Sequence, residues 1–183
     1  MFISLEELAK RPFDFRQSFA PGVVDLGSEI RQTAPLEASG EATLIEEDHG
    51  HKQVIEDIRV VGDLSTRLEV GCARCLEPVP REVKRSFDLL YRPQGSDAGR
   101  EELSVTAVEA EVGYYQGDGL LLEDVLREQI LLAVPYKVVC REDCQGLCPA
   151  CGKNLNEGKC ACPQLPADAR WEALKGLREQ MEK

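Results

Sequence analysis

The chain has 183 residues, with 33 acidic against 22 basic side chains, a net charge of −11 and few aromatics. That length suits one domain with a core, or one domain plus a small metal-clamped appendage. The acidic balance argues against nucleic-acid binding through a general positive field, and no apolar run approaches the length of a membrane span.

Ser4-Leu-Glu-Glu7 predicts a capping box that opens one short helix ending before Pro12. The opening residues carry glutamates where an export signal needs a basic and then an apolar stretch, so a cytoplasmic protein is expected. Residues 13–35, with Pro21, Gly22, Gly27 and Pro35, show no clean period and read as an irregular, partly extended arm. Residues 36–47 and 54–61 read as strands joined by the turn Asp48-His-Gly-His51. His49 and His51 read as solvated turn residues rather than metal ligands. Gly62-Asp63 reads as a break, after which Leu64, Thr66, Leu68 and Val70 alternate with polar residues in the period of two that a half-buried strand needs.

Cys72-Ala-Arg-Cys75 then falls between that strand and another at 79–91, which makes it the tip of a β-hairpin. Residues 94–100 form a Gly/Ser/Asp loop, and 105–115 reads as a further strand. The clearest helix covers about 120–134, where Leu122, Val125, Leu126, Gln129, Ile130 and Ala133 repeat at helical spacing before Pro135. After the cysteine-rich stretch, Pro163 and Pro166 mark a linker. Residues 168–182 read as a terminal amphipathic helix with Trp171, Leu174, Leu177 and Met181 on one face. The expected class is α+β: an antiparallel sheet or partly open barrel with a packed helix, a C-terminal cysteine-rich zinc-binding region and a terminal helix. The expected divisions are an N-terminal helix and arm at 1–35, a core at 36–135, the cysteine-rich region at 136–163, and a linker and helix at 164–183.

Six of the eight cysteines lie in residues 140–162, and the other two are Cys72 and Cys75. Thiolates at gaps of two or three residues can turn onto one centre, as in a tetrahedral zinc site. Cys148-Pro-Ala-Cys151-Gly152 is the knuckle that carries this reading, with Gly152 suited to a positive φ. A disulfide framework fits poorly without an export signal, and a redox CxxC lacks its usual βαβ setting. An iron–sulfur cluster also takes four thiolates, but knuckles followed by glycine read as a zinc ribbon. Spacing predicts two zinc ions, one on Cys72, Cys75, Cys140 and Cys144 and one on Cys148, Cys151, Cys160 and Cys162. A ribbon joining Cys72 and Cys75 with Cys148 and Cys151 is the alternative pairing. Four thiolates leave no open position for water, and nothing else in the chain suggests a hydrolytic centre.

Charge is unevenly spread. Residues 1–71 and 97–128 each carry −7, whereas 72–92 carry +2 and 135–163 carry +1. The basic excess coincides with the cysteines, and part of it offsets the formal −2 of a four-thiolate zinc.

The ordered combination of Cys72-Ala-Arg-Cys-Leu-Glu-Pro78, an acidic middle, the helix closing on Leu-Ala-Val-Pro135, the core Gly146-Leu-Cys-Pro-Ala-Cys-Gly152 and Asp168-Ala-Arg-Trp-Glu-Ala-Leu174 resembles the YceD family of large ribosomal RNA subunit accumulation proteins. The resemblance runs from about residue 36 to the end. It implies a cytoplasmic, non-enzymatic protein needed for normal amounts of 23S rRNA. The implied partners are that RNA or its precursor, or large-subunit ribosomal proteins, with no membrane and no small-molecule substrate. Some members lack the motif spanning Cys148 to Cys162, which makes its zinc an accessory to the implied function. Candidate RNA contacts are then Arg74, Arg81, Lys84, Arg85, Lys137, Arg141, Lys153 and Lys159. A zinc-dependent redox sensor or chaperone-like module is the competing reading, because thiolate oxidation ejects zinc.

Overall fold

A computed structural model of the protein describes residues 1–48, 54–96 and 112–163. In chain order these form β1 (Phe2–Ser4), α1 (Leu5–Leu8), β2 (Phe13–Phe19), β3 (Ile30–Gln32), β4 (Leu36–Asp48), β5 (Val54–Gly71), β6 (Pro78–Pro93), β7 (Val112–Tyr115), β8 (Gly119–Leu121) and α2 (Leu122–Ala133). A short 3-10 turn follows at Leu155–Glu157. The main sheet has the order β2-β4-β5-β6-β7, and β3 lies on β5 beyond the end of β4. Its pairings are antiparallel except for the parallel β6–β7 edge. β1 and β8 make a separate ribbon. The sheet is therefore open and mixed, not a partly open barrel.

Two sequence expectations change for a shared reason. Residues 13–19, read as part of an irregular arm, form β2, with Phe15 and Phe19 buried and Asp14, Arg16 and Ser18 exposed. Gly62, read as a break, lies inside an unbroken β5. Phe15, Gly40, Gly62 and Phe87 make one row across four strands. A Cβ on Gly40 would sit 2.1 Å from the Val61 carbonyl oxygen and 2.7 Å from the Phe15 ring. One on Gly62 would sit 2.6 Å from the Ser39 carbonyl oxygen and 3.0 Å from the Phe87 ring. The glycines give the two rings room to lie over the sheet, which is the use of an interior strand glycine where groups approach closely.

The inner face of the sheet carries the core. Leu36, Ile58, Val60, Leu64, Leu68, Val83 and Phe87 pack with Leu122, Val125, Leu126 and Ile130 from α2. This stripe follows the helical period found in the sequence, and Gln129 is buried with it. Ser4 caps α1 by accepting from the backbone N–H of Glu7. The terminal ammonium of Met1 pairs with Glu123, tying the ribbon to α2. On the outer face, Asp57 is fully buried and takes Arg92 Nη2 at 2.8 Å and Nε at 3.1 Å. Removing one partner of such a pair costs about 3–5 kcal/mol.

The turn holding His49 and His51, most of the expected strand at 105–115 and the expected terminal helix at 168–182 lie outside the described residues.

Overpacking the glycine row is the direct check of this sheet. Gly62→Ala is expected to destabilise the metal-loaded protein by about 1–3 kcal/mol in chemical denaturation. Gly71→Ala, whose added methyl meets nothing nearer than 3.8 Å, should stay within about 0.5 kcal/mol of wild type. Equal stability of the two variants would contradict the row.

Candidate metal centres

The β5–β6 hairpin ends at the pair Gly71 and Pro78, and its tip closes as a knuckle. The Cys72 N–H donates to the Glu77 carbonyl at 2.9 Å, and the Leu76 N–H donates to the Cys72 carbonyl at 2.9 Å. Leu76 takes φ of 63°, the left-handed conformation that an L residue holds only under constraint. Both sulfurs thereby face one side. Beyond α2, which Pro135 follows, the chain returns along this tip, and the Ala73 N–H donates to the Val138 carbonyl at 2.8 Å. Val79 and Val138 pack around Cys72, Cys75 and Cys144, with Leu147 at the edge.

The return delivers Cys140 and Cys144 to Cys72 and Cys75, with all four sulfurs within 4.8 Å of one another. Cys72 and Cys144 are 3.9 Å apart, and Cys75 and Cys140 are 3.7 Å apart. A tetrahedral metal about 2.3 Å from each sulfur would place them ~3.8 Å apart. The donor set therefore fits. Three members of this group are buried, and Cys140 is exposed.

The surrounding donors favour thiolate at particular positions. Burial works against ionisation of Cys72, but N–H groups of Cys75, Arg74 and Cys140 outweigh it and bring the thiol down to about 6. The Asn156 side chain lowers Cys144 in the same way. Desolvation first, and then the sulfurs of Cys144, Cys75 and Cys72, push Cys140 up to about 12. Four sulfurs in contact cannot all ionise on their own, which is the electrostatic state that a cation between them relieves.

A second group joins Cys148, Cys151, Cys160 and Cys162, again within 4.8 Å of one another. Gly152, at φ of 73°, donates its N–H to the Cys148 carbonyl at 2.8 Å and turns the knuckle. Cys148 and Cys160 lie 3.3 Å apart. The N–H groups of Cys151 and Ala150 bring Cys148 down to about 6, while the Cys151 sulfur and then desolvation push Cys162 up to about 12. This group is more open, since only Cys148 is buried. Cys72 and Cys75 thus meet Cys140 and Cys144, not the Cys148 knuckle of the alternative ribbon. Each group can hold a metal ion.

The candidate cations are not gathered on one surface. Arg74 turns its Nη1 back onto the carbonyls of Glu142 at 3.0 Å and Cys144 at 2.9 Å. Arg81 and Arg85 are half-buried, in register with Leu68 and Leu64 on the core face. Arg85 Nε is buried and has no hydrogen-bond partner among the described residues. Lys84 lies on the opposite face and pairs with Glu82 at 2.9 Å. Arg92, part of the basic excess in the sequence, is spent on Asp57. Lys137, Arg141, Lys153 and Lys159 are exposed around the thiol groups. Arg141 bonds the Asn156 Oδ1 at 2.8 Å, and Lys153 reaches the Lys159 carbonyl at 3.4 Å. Sequence reasoning passed over Asn154 and Asn156. Their signal is two asparagines inside the loop between Cys151 and Cys160.

A family model described as "Large ribosomal RNA subunit accumulation protein YceD" matches residues 60–178, from within β5 across both thiol groups. An uncharacterized protein of Mycobacterium tuberculosis is 30% identical over 158 residues, covering 85% of this chain and 70% of its own length. "Large ribosomal RNA subunit accumulation protein YCED homolog 1, chloroplastic" of Arabidopsis thaliana is 24% identical over 146 residues, covering 68% of this chain and 46% of its own. No solved structure matches. No helix among the described residues is long and apolar enough to cross a membrane. The family match spans well over half the chain and includes both four-thiol groups, and the chain belongs to the YceD family.

Proposed function

We propose that this protein is a non-enzymatic, zinc-stabilised factor that supports accumulation of 23S rRNA in the large ribosomal subunit. The observation that carries this reading is a family match running through two complete four-cysteine groups. The family is named for RNA accumulation and not for a reaction. Zinc bound by four thiolates is coordinatively closed, whereas catalytic zinc keeps a position for water. The metal would therefore act by holding residues 136–163 against the hairpin tip, where the apolar core is a small cluster around Val79 and Val138.

Contact with precursor RNA or its bound ribosomal proteins then belongs to the surface this region presents. Lys137, Arg141, Lys153 and Lys159 are its exposed cations, with Arg74 and Arg81 at the hairpin. The acidic stretch at 1–71 would repel RNA elsewhere and orient the docking. Lys84 and Arg85 contribute less on this reading, one because it is ion-paired and the other because its Nε is buried. The division into a core at 36–135, which β2 and β3 join in the main sheet, and a metal-clamped region at 136–163 is part of the same proposal.

The zinc content of the purified wild-type protein should be two per chain. A count of one would contradict the two-centre reading. Cells depleted of the protein should lose 23S rRNA and regain it with wild type but not with Cys72→Ser, Cys75→Ser. Restoration by that variant would sink the role assigned to the metal.

Charge reversal at Lys137, Lys153 and Lys159 should weaken association with precursor rRNA and flatten its salt dependence by about 0.7–0.9 per lost phosphate contact, with zinc content intact. Unchanged association and unchanged 23S levels would move the contact from RNA to its bound proteins.

A further inference from the structure

We propose that Asn156 is a positioning residue for the first metal and that the second metal holds it in place, so that the two centres load as a coupled pair. This rests on the reading of both thiol groups as zinc sites. Asn156 belongs to the loop between Cys151 and Cys160, two ligands of the second group, yet its side chain serves the first. Its Nδ2 donates to the Cys144 sulfur at 3.3 Å. Its Oδ1 accepts from the Gln145 N–H at 2.8 Å and from Arg141 Nη2 at 2.8 Å. One amide thus clamps the backbone, a cation and a ligand sulfur of the other centre.

The rest of the loop supports that clamp. Asn154 Oδ1 accepts from the Asn156 N–H at 3.1 Å and from its Nδ2 at 2.8 Å, which orients the amide. Asn154 Nδ2 in turn reaches Glu77 Oε1 at the hairpin tip, at 3.4 Å. The Leu155 N–H donates to the Gly146 carbonyl at 2.9 Å, and Leu147 bridges Asn154. Gly146 is pinned from the other side. At φ of +74° its place for a Cβ lies 3.0 Å from the Arg74 carbonyl oxygen, so only glycine lets residues 144–147 slide between hairpin and loop.

The coupling follows from charge and from chain entropy. Four thiolates around a divalent cation leave excess negative charge on sulfur, and an N–H aimed at one sulfur offsets it. Outer partners of this kind are typically worth 10–100-fold in metal affinity. Residues 152–159 have only Leu155 as an apolar anchor, and it is half-buried. Their geometry depends on closure of the loop between Cys148 and Cys151 at one end and Cys160 and Cys162 at the other. With the second metal gone, ordering the loop costs the conformational entropy that the metal otherwise offsets, and Asn156 no longer reaches Cys144. Linkage requires the effect to be reciprocal.

The test uses the full chain, chelator competition for affinity and cobalt substitution for the thiolate-to-metal charge-transfer band. Wild type should bind two metals. Asn156→Ala should still bind two, with the first weakened about 10–100-fold and its charge-transfer band shifted. Asn156→Asp keeps an acceptor for Gln145 and Arg141 but removes the N–H donor to Cys144 and to Asn154, and it should weaken the first metal at least as much. Cys160→Ser, Cys162→Ser should leave one metal per chain, weakened to a similar degree, and adding Asn156→Ala should then change little. The inference is overturned by an Asn156→Asp protein with unchanged first-metal affinity and band, or by independent, multiplying effects of the two lesions. Wild type binding fewer than two metals would overturn the zinc reading itself, and the coupling with it.

Discussion

Eight cysteine sulfurs held in two groups of four, each group within 4.8 Å, cannot all carry charge without a cation between them. That constraint organises the C-terminal half of the protein. It requires a rigid hairpin that presents Cys72 and Cys75 at its tip, and β5 and β6 supply one with continuous pairing from Ile58 with Tyr91 to Gly71 with Pro78. It also requires the chain to return to that tip, which α2 and the segment after Pro135 accomplish. The knuckle N–H groups favour the thiolate form at Cys72 and Cys148, while crowding by neighbouring sulfurs and desolvation disfavour it at Cys140 and Cys162.

The sheet and the metal region have different chemical characters. The described outer face of the sheet mixes Arg59, Lys84 and Arg16 with a larger number of carboxylates, and several of its cations are ion-paired. Around the thiol groups the exposed cations Lys137, Arg141, Lys153 and Lys159 are interspersed with the exposed carboxylates Glu142, Asp143 and Glu157. The metal region, with four basic and three acidic side chains over residues 135–163, is thus close to neutral beside an acidic body. The YceD family is named for accumulation of large ribosomal subunit RNA.

Much of this could be read before any coordinates. The CxxC lay between two alternating strands, so its place at a hairpin tip followed from period alone. The α2 stripe was legible because Leu122, Val125, Leu126, Gln129 and Ile130 hold strict helical spacing, and every one is buried. Spacing favoured the cysteine grouping but left a ribbon of Cys72 and Cys75 with Cys148 and Cys151 open, and only the tertiary return of residues 136–144 to the hairpin tip separates the two. β2 was missed because Pro21, Gly22 and Gly27 dominated the window, although Phe13, Phe15 and Phe19 alternate with Asp14, Arg16 and Ser18. Gly62 misled because a glycine in a strand reads as a breaker, and its purpose becomes visible only with Phe15, Gly40 and Phe87 in one row. The burial of Arg85 and the reach of Asn156 to Cys144 depend on tertiary register, which no local pattern encodes.

The central proposal is that metal, more than the small apolar cluster around Val79 and Val138, fastens residues 136–163 to a sheet able to stand without it. Hydrogen exchange read by mass spectrometry before and after chelation tests this most directly. The account predicts that residues 72–76 and 136–163 lose protection on chelation while β4, β5 and β6 keep theirs, since the sheet and α2 share their own core. Loss of protection in the sheet and the metal region together, at the same chelator concentration, would contradict it.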